Sequence, residues 1–174
     1  PEEQLQTQWS ELIELKKIIH ELYHHQGRRI SILDIGVGSC RVAKHLSGIP
    51  EIWSMIAAYD GIDNSMACVN ISNAVIEQLN IGDTASVQLL EATGIGTLQK
   101  KYDIIMTTWF TPGNFYPGDF PFETYNESSS KLDLTENENF ISIFSTPICI
   151  LVIFSSFLSD ATTTSFNCVV FSER

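Results

Sequence analysis

The sequence predicts an α/β domain with a mostly parallel sheet covered by helices on both faces, a three-layer αβα sandwich. Two patterns carry this expectation. Short apolar runs alternate with stretches of helical periodicity over the first two-thirds of the chain. The runs are also apolar without polar alternation, as befits strands buried on both faces. A third observation fixes the direction of the first crossover: Ile32-Leu33-Asp34-Ile35 leads into Gly36-Val37-Gly38 and then a helical segment. At 174 residues the chain has the length of one domain with a substantial core.

Residues 3–26 read as one amphipathic helix. Leu5, Trp9, Leu12, Ile19 and Tyr23 fall on one stripe at spacings of three, four and seven, with Ile13 and Leu15 on its flanks. Gly27 suits the helix end. The isoleucine-rich run Ile30–Ile35 is the first strand, and Arg41–Ser47 the helix after the glycine turn, with Val42, Ala43 and Leu46 inward. Pro50 opens a short helix over 51–57. A second strand covers 59–63, and Ser65 caps a helix Met66–Leu79 whose apolar face holds Met66, Val69, Ile76 and Leu79. Strands follow at 85–90 and 102–107. The segment 108–139, with three prolines and seven large aromatics, is expected to be an acceptor-site or lid loop, or a loop folded back as core. Beyond it lie strands at 148–154 and 166–171. The domain thus divides into an N-terminal helix (1–27), a central core (28–107), an aromatic loop (108–139) and a compositionally different end (140–174).

Composition excludes several function classes. Hydrophobic residues make up 44% and charged residues 18%, as in a soluble globular protein. A net charge of −11, with only 10 Lys and Arg, argues against a surface that tracks phosphates, so no nucleic-acid partner is expected. The stretch 140–159 carries no charged residue and is long enough to span a membrane. Pro147, its serines and the lack of flanking Lys or Arg favour buried strand instead, so no membrane association is expected. No basic and apolar leader is visible, and Cys40, Cys68, Cys149 and Cys168 form no C-x-x-C pair. Free thiols and a cytoplasmic location are the expectation. His20 and His24 stand one helical turn apart, but no third ligand has suitable spacing, so no metal site is expected.

The chemistry concentrates in Asp34-Ile35-Gly36-Val37-Gly38-Ser39-Cys40-Arg41. Glycines at a strand-to-helix turn let a ligand approach backbone amides. The dinucleotide pattern requires a third glycine where this chain has Arg41. A carboxylate at Asp34 also faces a pyrophosphate poorly and an ammonium group well. The stretch resembles motif I of the class I S-adenosylmethionine-dependent methyltransferases, a Rossmann-like family. Asp34, Gly36 and Gly38 match that motif, and Cys40 replaces its third glycine.

The resemblance extends through three further strand ends. Gly61-Ile62-Asp63-Asn64-Ser65 is similar to the second motif, in which Asp63, beside Asn64, would hold the ribose hydroxyls. The physics supports it, since one carboxylate accepts two hydrogen bonds from a vicinal diol. The plainer alternative makes Asp63 an acid at a helix N-terminus next to Ser65. Leu90-Glu91-Ala92 resembles the adenine-reading pair, with Glu91 accepting from the amino group and the Ala92 amide donating to the ring. Residues 102–109, with Thr107 at the strand end, resemble the fourth-strand motif, where Asp103 is structural.

The resemblance implies S-adenosylmethionine as cofactor, bound through Asp34, Gly36, Gly38, Asp63, Asn64, Glu91, Ala92 and Thr107. It implies methyl transfer to a small organic acceptor, which needs neither a protein nucleophile nor a metal. No catalytic residue is legible. After Thr108 the family's Pro-Gly-Gly strand is absent, so the last strands are atypical, divergent or truncated. Two rivals stay open: a catalytically silent cofactor-binding or interaction module, and an NAD-dependent oxidoreductase.

Overall fold

The computed structural model describes residues 2–107, 139–146, 151–156 and 167–172, with side chains over 12–107. Helix α1 (Glu2–Gln26) precedes strand β1 (Ile30–Ile35), and helices α2 (Arg41–Ser47) and α3 (Pro50–Ser54) lead to β2 (Ile56–Asp63). Helix α4 (Met66–Leu79), β3 (Ala85–Leu89), a 3-10 turn (Ala92–Thr97) and β4 (Ile104–Thr107) follow. The final strands are β5 (Asn139–Thr146), β6 (Leu151–Ser156) and β7 (Asn167–Ser172).

These form one seven-stranded sheet in the order β3-β2-β1-β4-β6-β5-β7. The first four are mutually parallel, as the alternation of elements predicts. Strand β6 runs antiparallel to both β4 and β5, and β7 parallels β5. Three further strands thus continue the sheet beyond β4. Strands β6 and β7 overlap the expected 148–154 and 166–171. Strand β5 lies in the charge-free stretch that the sequence left undivided. No helix among the described residues is long and apolar enough to cross a membrane. The aromatic loop at 108–139 lies outside the described residues except for its last, Asn139, which begins β5.

Strand β1 is central because both faces are covered. Ile30 and Ile32 join a core built from α1, α2, α3 and α4, while Leu33 and Ile35 join a second cluster with Ile62, Ile95, Tyr102 and Ile105. Each such fully buried aliphatic contributes about 1.5–3 kcal/mol. Helix α1 packs through Leu12, Leu15, Ile18, Ile19 and Leu22. The face is rotated from the predicted stripe: Leu15 is central, Ile13 is 42% exposed, and Tyr23 packs only at the margin. Aliphatics fill the seam, and an amphipathic tyrosine is cheaper at its edge. Likewise Met66 is exposed on α4, where Ser72 takes an inward position between Val69 and Ile76. Gly27 ends α1 at φ +63° with its amide on Tyr23 O, and Ser65 caps α4 by accepting from the Cys68 amide.

At the N-terminal end of the strands, Asp103 is fully committed. Arg28 donates to both of its oxygens at 3.0 and 2.6 Å, and the Ser31 amide adds a third bond at 2.7 Å. The Asp103 amide returns to Ser31 O at 2.9 Å, stitching β1 to the entry of β4. This bears out the structural reading of Asp103.

Candidate functional site

The parallel register sets Asp34 beside Gly61 and Met106, and Ile35 beside Ile62 and Thr107, so the C-terminal ends of β1, β2 and β4 lie level. Asp63 pairs with Leu89 on the outer side, bringing β3 to the same edge. Open parallel sheets bind ligands at this edge, where crossovers diverge.

The turn after β1 is built for close approach. Gly36 and Gly38 have φ of +73° and +58°, a region costly for any residue with a Cβ. The Gly36 and Val37 amides reach back to Ile62 O at 2.8 and 3.0 Å. Gly61 allows the turn to settle on β2: a Cβ there would lie 2.9 Å from Val37 Cγ2 and 3.0 Å from Val87 Cγ2. Cys40, at the place of the family's third glycine, also adopts a left-handed backbone (φ +58°) and begins α2. Cys40 thus takes a backbone conformation that glycine favours, with its thiol fully buried. That burial, with Asp34 nearby, pushes the Cys40 thiol up to about 12.

Asp63 braces the turn from β2. Its Oδ2 accepts from the Gly38 amide and its Oδ1 from the Ser65 amide, each at 2.9 Å. The helix-end alternative is thus part of the answer, because one carboxylate organises both the glycine turn and the start of α4. Each oxygen keeps further lone-pair capacity, and the side chain is only half-buried, so a diol can still be received. Ser72 completes the brace from α4 by donating to Gly38 O at 2.9 Å.

Asp34 is almost wholly buried (1% exposed), with Oδ2 accepting from the Tyr59 hydroxyl and Oδ1 lacking any hydrogen-bond partner among the described residues. Burial raises its pKa to about 7, against the Tyr59 bond and the Arg41 charge, which lower it; Asp63 raises it further. An orphaned, buried carboxylate oxygen is rare enough to demand a partner. Thr107, 2% exposed, has a second such atom in Oγ1, on the other face of the sheet. Glu91 is exposed immediately before the 3-10 turn, Ala92 is buried as the turn's first residue, and Asn64 is exposed beside Asp63.

The structure therefore groups Asp34, Gly36, Gly38 and Asp63 tightly, with Asn64 alongside. It places Glu91, Ala92 and Thr107 at the same edge without linking them to that group. Sequence reasoning missed Tyr59 and Ser72. A tyrosine in a buried strand and a serine within an apolar helix face were the available signals, since each needs a polar partner. Among the described residues no cluster of side chains suits a metal ion, and His20 and His24 face each other, Nε2 to Nε2 at 3.1 Å, on an exposed face.

The donor and acceptor set fits S-adenosylmethionine. An unfilled anionic oxygen suits an ammonium group, left-handed glycines leave room along the backbone, and a second carboxylate suits a diol. No family model matches the sequence, and no curated protein matches it. Among solved structures, the chain is similar to a putative class I S-adenosylmethionine-dependent methyltransferase from Listeria monocytogenes. That likeness has 9% identity and a TM-score of 0.64, over 94% of this chain and 64% of the other. A methyltransferase of the same cofactor dependence from Clostridium acetobutylicum gives 13% identity and a TM-score of 0.54, over 68% and 45%. An amino pentose methyltransferase from Micromonospora echinaspora, involved in calicheamicin biosynthesis and solved with S-adenosylmethionine bound, gives 14% and 0.50, over 71% and 45%. The chain spans 45% to 64% of the length of these three structures. The fold is that of the class I S-adenosylmethionine-dependent methyltransferases.

Proposed function

We propose that this chain, having the methyltransferase fold, binds S-adenosylmethionine at the C-terminal edge of β1–β4 and transfers its methyl group to a small organic acceptor. The observation that carries the reading is the open Asp34 Oδ1 next to a left-handed glycine turn, with Asp63 bracing that turn from the neighbouring strand. When bound, the cofactor supplies a methyl group on a sulfonium centre, open to in-line displacement.

The protein's part is binding and orientation. Asp34 neutralises the ammonium group, Gly36 and Gly38 admit the methionine portion along the backbone, and Asp63 with Asn64 receives the ribose hydroxyls. Glu91 and Ala92 read the adenine edge, with exposed Leu89 on β3 offering apolar surface beside them. Thr107 closes the site from β4. Holding the reactants in line and excluding water supplies the rate, so no protein nucleophile is required. The acidic chain and its lack of basic clusters suit a small molecule rather than a nucleic acid, and a cytoplasmic setting suits its free Cys40 and Cys68.

Calorimetric titration with S-adenosylhomocysteine and, separately, NAD tests this. Binding of the first, absence of the second and loss in Asp63→Ala are expected. NAD binding alone would install the oxidoreductase reading. The silent-module reading draws on the absence of the family's Pro-Gly-Gly strand after Thr108. Cofactor binding without turnover on any acceptor, restored by adding no further segment, would favour it.

A further inference from the structure

Tyr59 is the largest polar side chain buried at this site, and no family motif accounts for it. Its ring is wholly buried, with the Trp53 ring of α3 at 6.4 Å between centroids. Its hydroxyl donates to Asp34 Oδ2. The backbone amide of Tyr59 is fixed separately, on Thr84 O at 2.8 Å. Ring, hydroxyl and backbone are thus each met from a different part of the chain.

We infer that Tyr59 is a positioning residue for cofactor binding: by occupying Oδ2 it fixes the rotation of the Asp34 carboxylate and reserves Oδ1 for the ammonium group of the methionine portion. This rests on the proposed cofactor reading. A carboxylate free to rotate in a buried site would satisfy itself on whichever donor lay nearest, and its ligand would have to displace that contact. The bond also favours the charged form that an ammonium group needs. The groups facing Asp34 are Tyr59 and Asp63 from β2, and Cys40 and Arg41 from the start of α2. Of these, Tyr59 hydrogen-bonds the carboxylate and lies outside the glycine turn and the proposed ligand contacts.

The test compares two probes on the full chain by calorimetry, from about pH 6 to about pH 8. S-Adenosylhomocysteine carries the ammonium group, and 5′-methylthioadenosine lacks the whole amino-acid portion. In the unaltered chain, affinity for the first should rise with pH as Asp34 ionises, and affinity for the second should stay level. Tyr59→Phe keeps the ring and should weaken the first probe about tenfold at neutral pH, the scale of one charge-assisted hydrogen bond. Its rise should also move to higher pH, with the second probe unchanged. Replacing Tyr59 with 3-fluorotyrosine, whose more acidic hydroxyl donates more strongly, should move the rise to lower pH. It also decides the matter if Tyr59→Phe fails to fold. Equal weakening of both probes, or a pH profile that stays in place in the two variants, overturns the positioning role. Binding of neither probe to the unaltered chain overturns the cofactor reading itself.

Discussion

Asp103 and Asp34 are each 1% exposed, yet they stand at opposite ends of the parallel sheet in opposite conditions. Asp103 accepts three hydrogen bonds, two from one guanidinium and one from the Ser31 amide, and both oxygens are filled. Asp34 has one hydroxyl on Oδ2 and, among the described residues, nothing on Oδ1. Burial desolvates both, and only the first is compensated within the fold. The contrast teaches that burial alone does not say what a carboxylate is for. A saturated one holds strands together, and an unsaturated one keeps capacity for something that arrives.

The largest effect that would test this contrast is a pH dependence. A carboxyl whose pKa is raised to about 7 on folding adds stability while protonated, fully below its unfolded value near 4. That contribution is lost as pH rises through about 7. Relative to Asp34→Asn, the unaltered chain should therefore lose roughly 4 kcal/mol between acid and mildly alkaline pH. Denaturant unfolding across that range measures it, and parallel curves for the two proteins would mean Asp34 is compensated after all.

Asp103→Ala should cost about 3 kcal/mol at neutral pH, because the Ser31 amide is left buried and unpaired. Arg28 is half-exposed and contributes little of this. Cofactor-analogue affinity, measured on the folded fraction, should be unchanged; a matching loss of affinity would erase the distinction between the two ends. Gly61→Ala should cost about 1–3 kcal/mol by forcing Val37 and Val87 apart. It should also weaken S-adenosylhomocysteine, since Val37 belongs to the glycine turn. Smallest of all, Cys40→Gly relieves a left-handed backbone worth about 1 kcal/mol and forfeits a buried thiol of similar value. Its melting temperature should barely move.

The two ends differed in legibility as well. Asp34, Gly36, Gly38 and Asp63 could be read from the sequence because each sits at a strand end within a short local pattern. The Tyr59–Asp34 bond and the Arg28–Asp103 pair could not, since each joins strands through a register that no local pattern encodes. Gly61 read as a motif residue, when its lack of a Cβ is what lets Val37 settle on β2. Helix α1 was placed correctly but turned too far toward Tyr23, whose size outweighed its polarity in the pattern. Strand β5 escaped notice because 140–159 has neither charge nor regular alternation to mark where one strand ends and another begins. That β6 enters beside β4, ahead of β5, is a matter of pairing alone.

Cys40 has a use that its packing did not suggest. Fully buried at the head of α2 and held in the thiol form, it is inert to alkylating reagents while the glycine turn is shut. Cys68, half-buried on α4, offers a more accessible free thiol in the same chain. The rate at which iodoacetamide marks Cys40 therefore counts openings of the turn one molecule at a time, and peptide mass spectrometry can read it without any engineered label. A ligand seated in the turn should slow that marking in proportion to its occupancy, so this chain carries its own reporter of whether the site is filled.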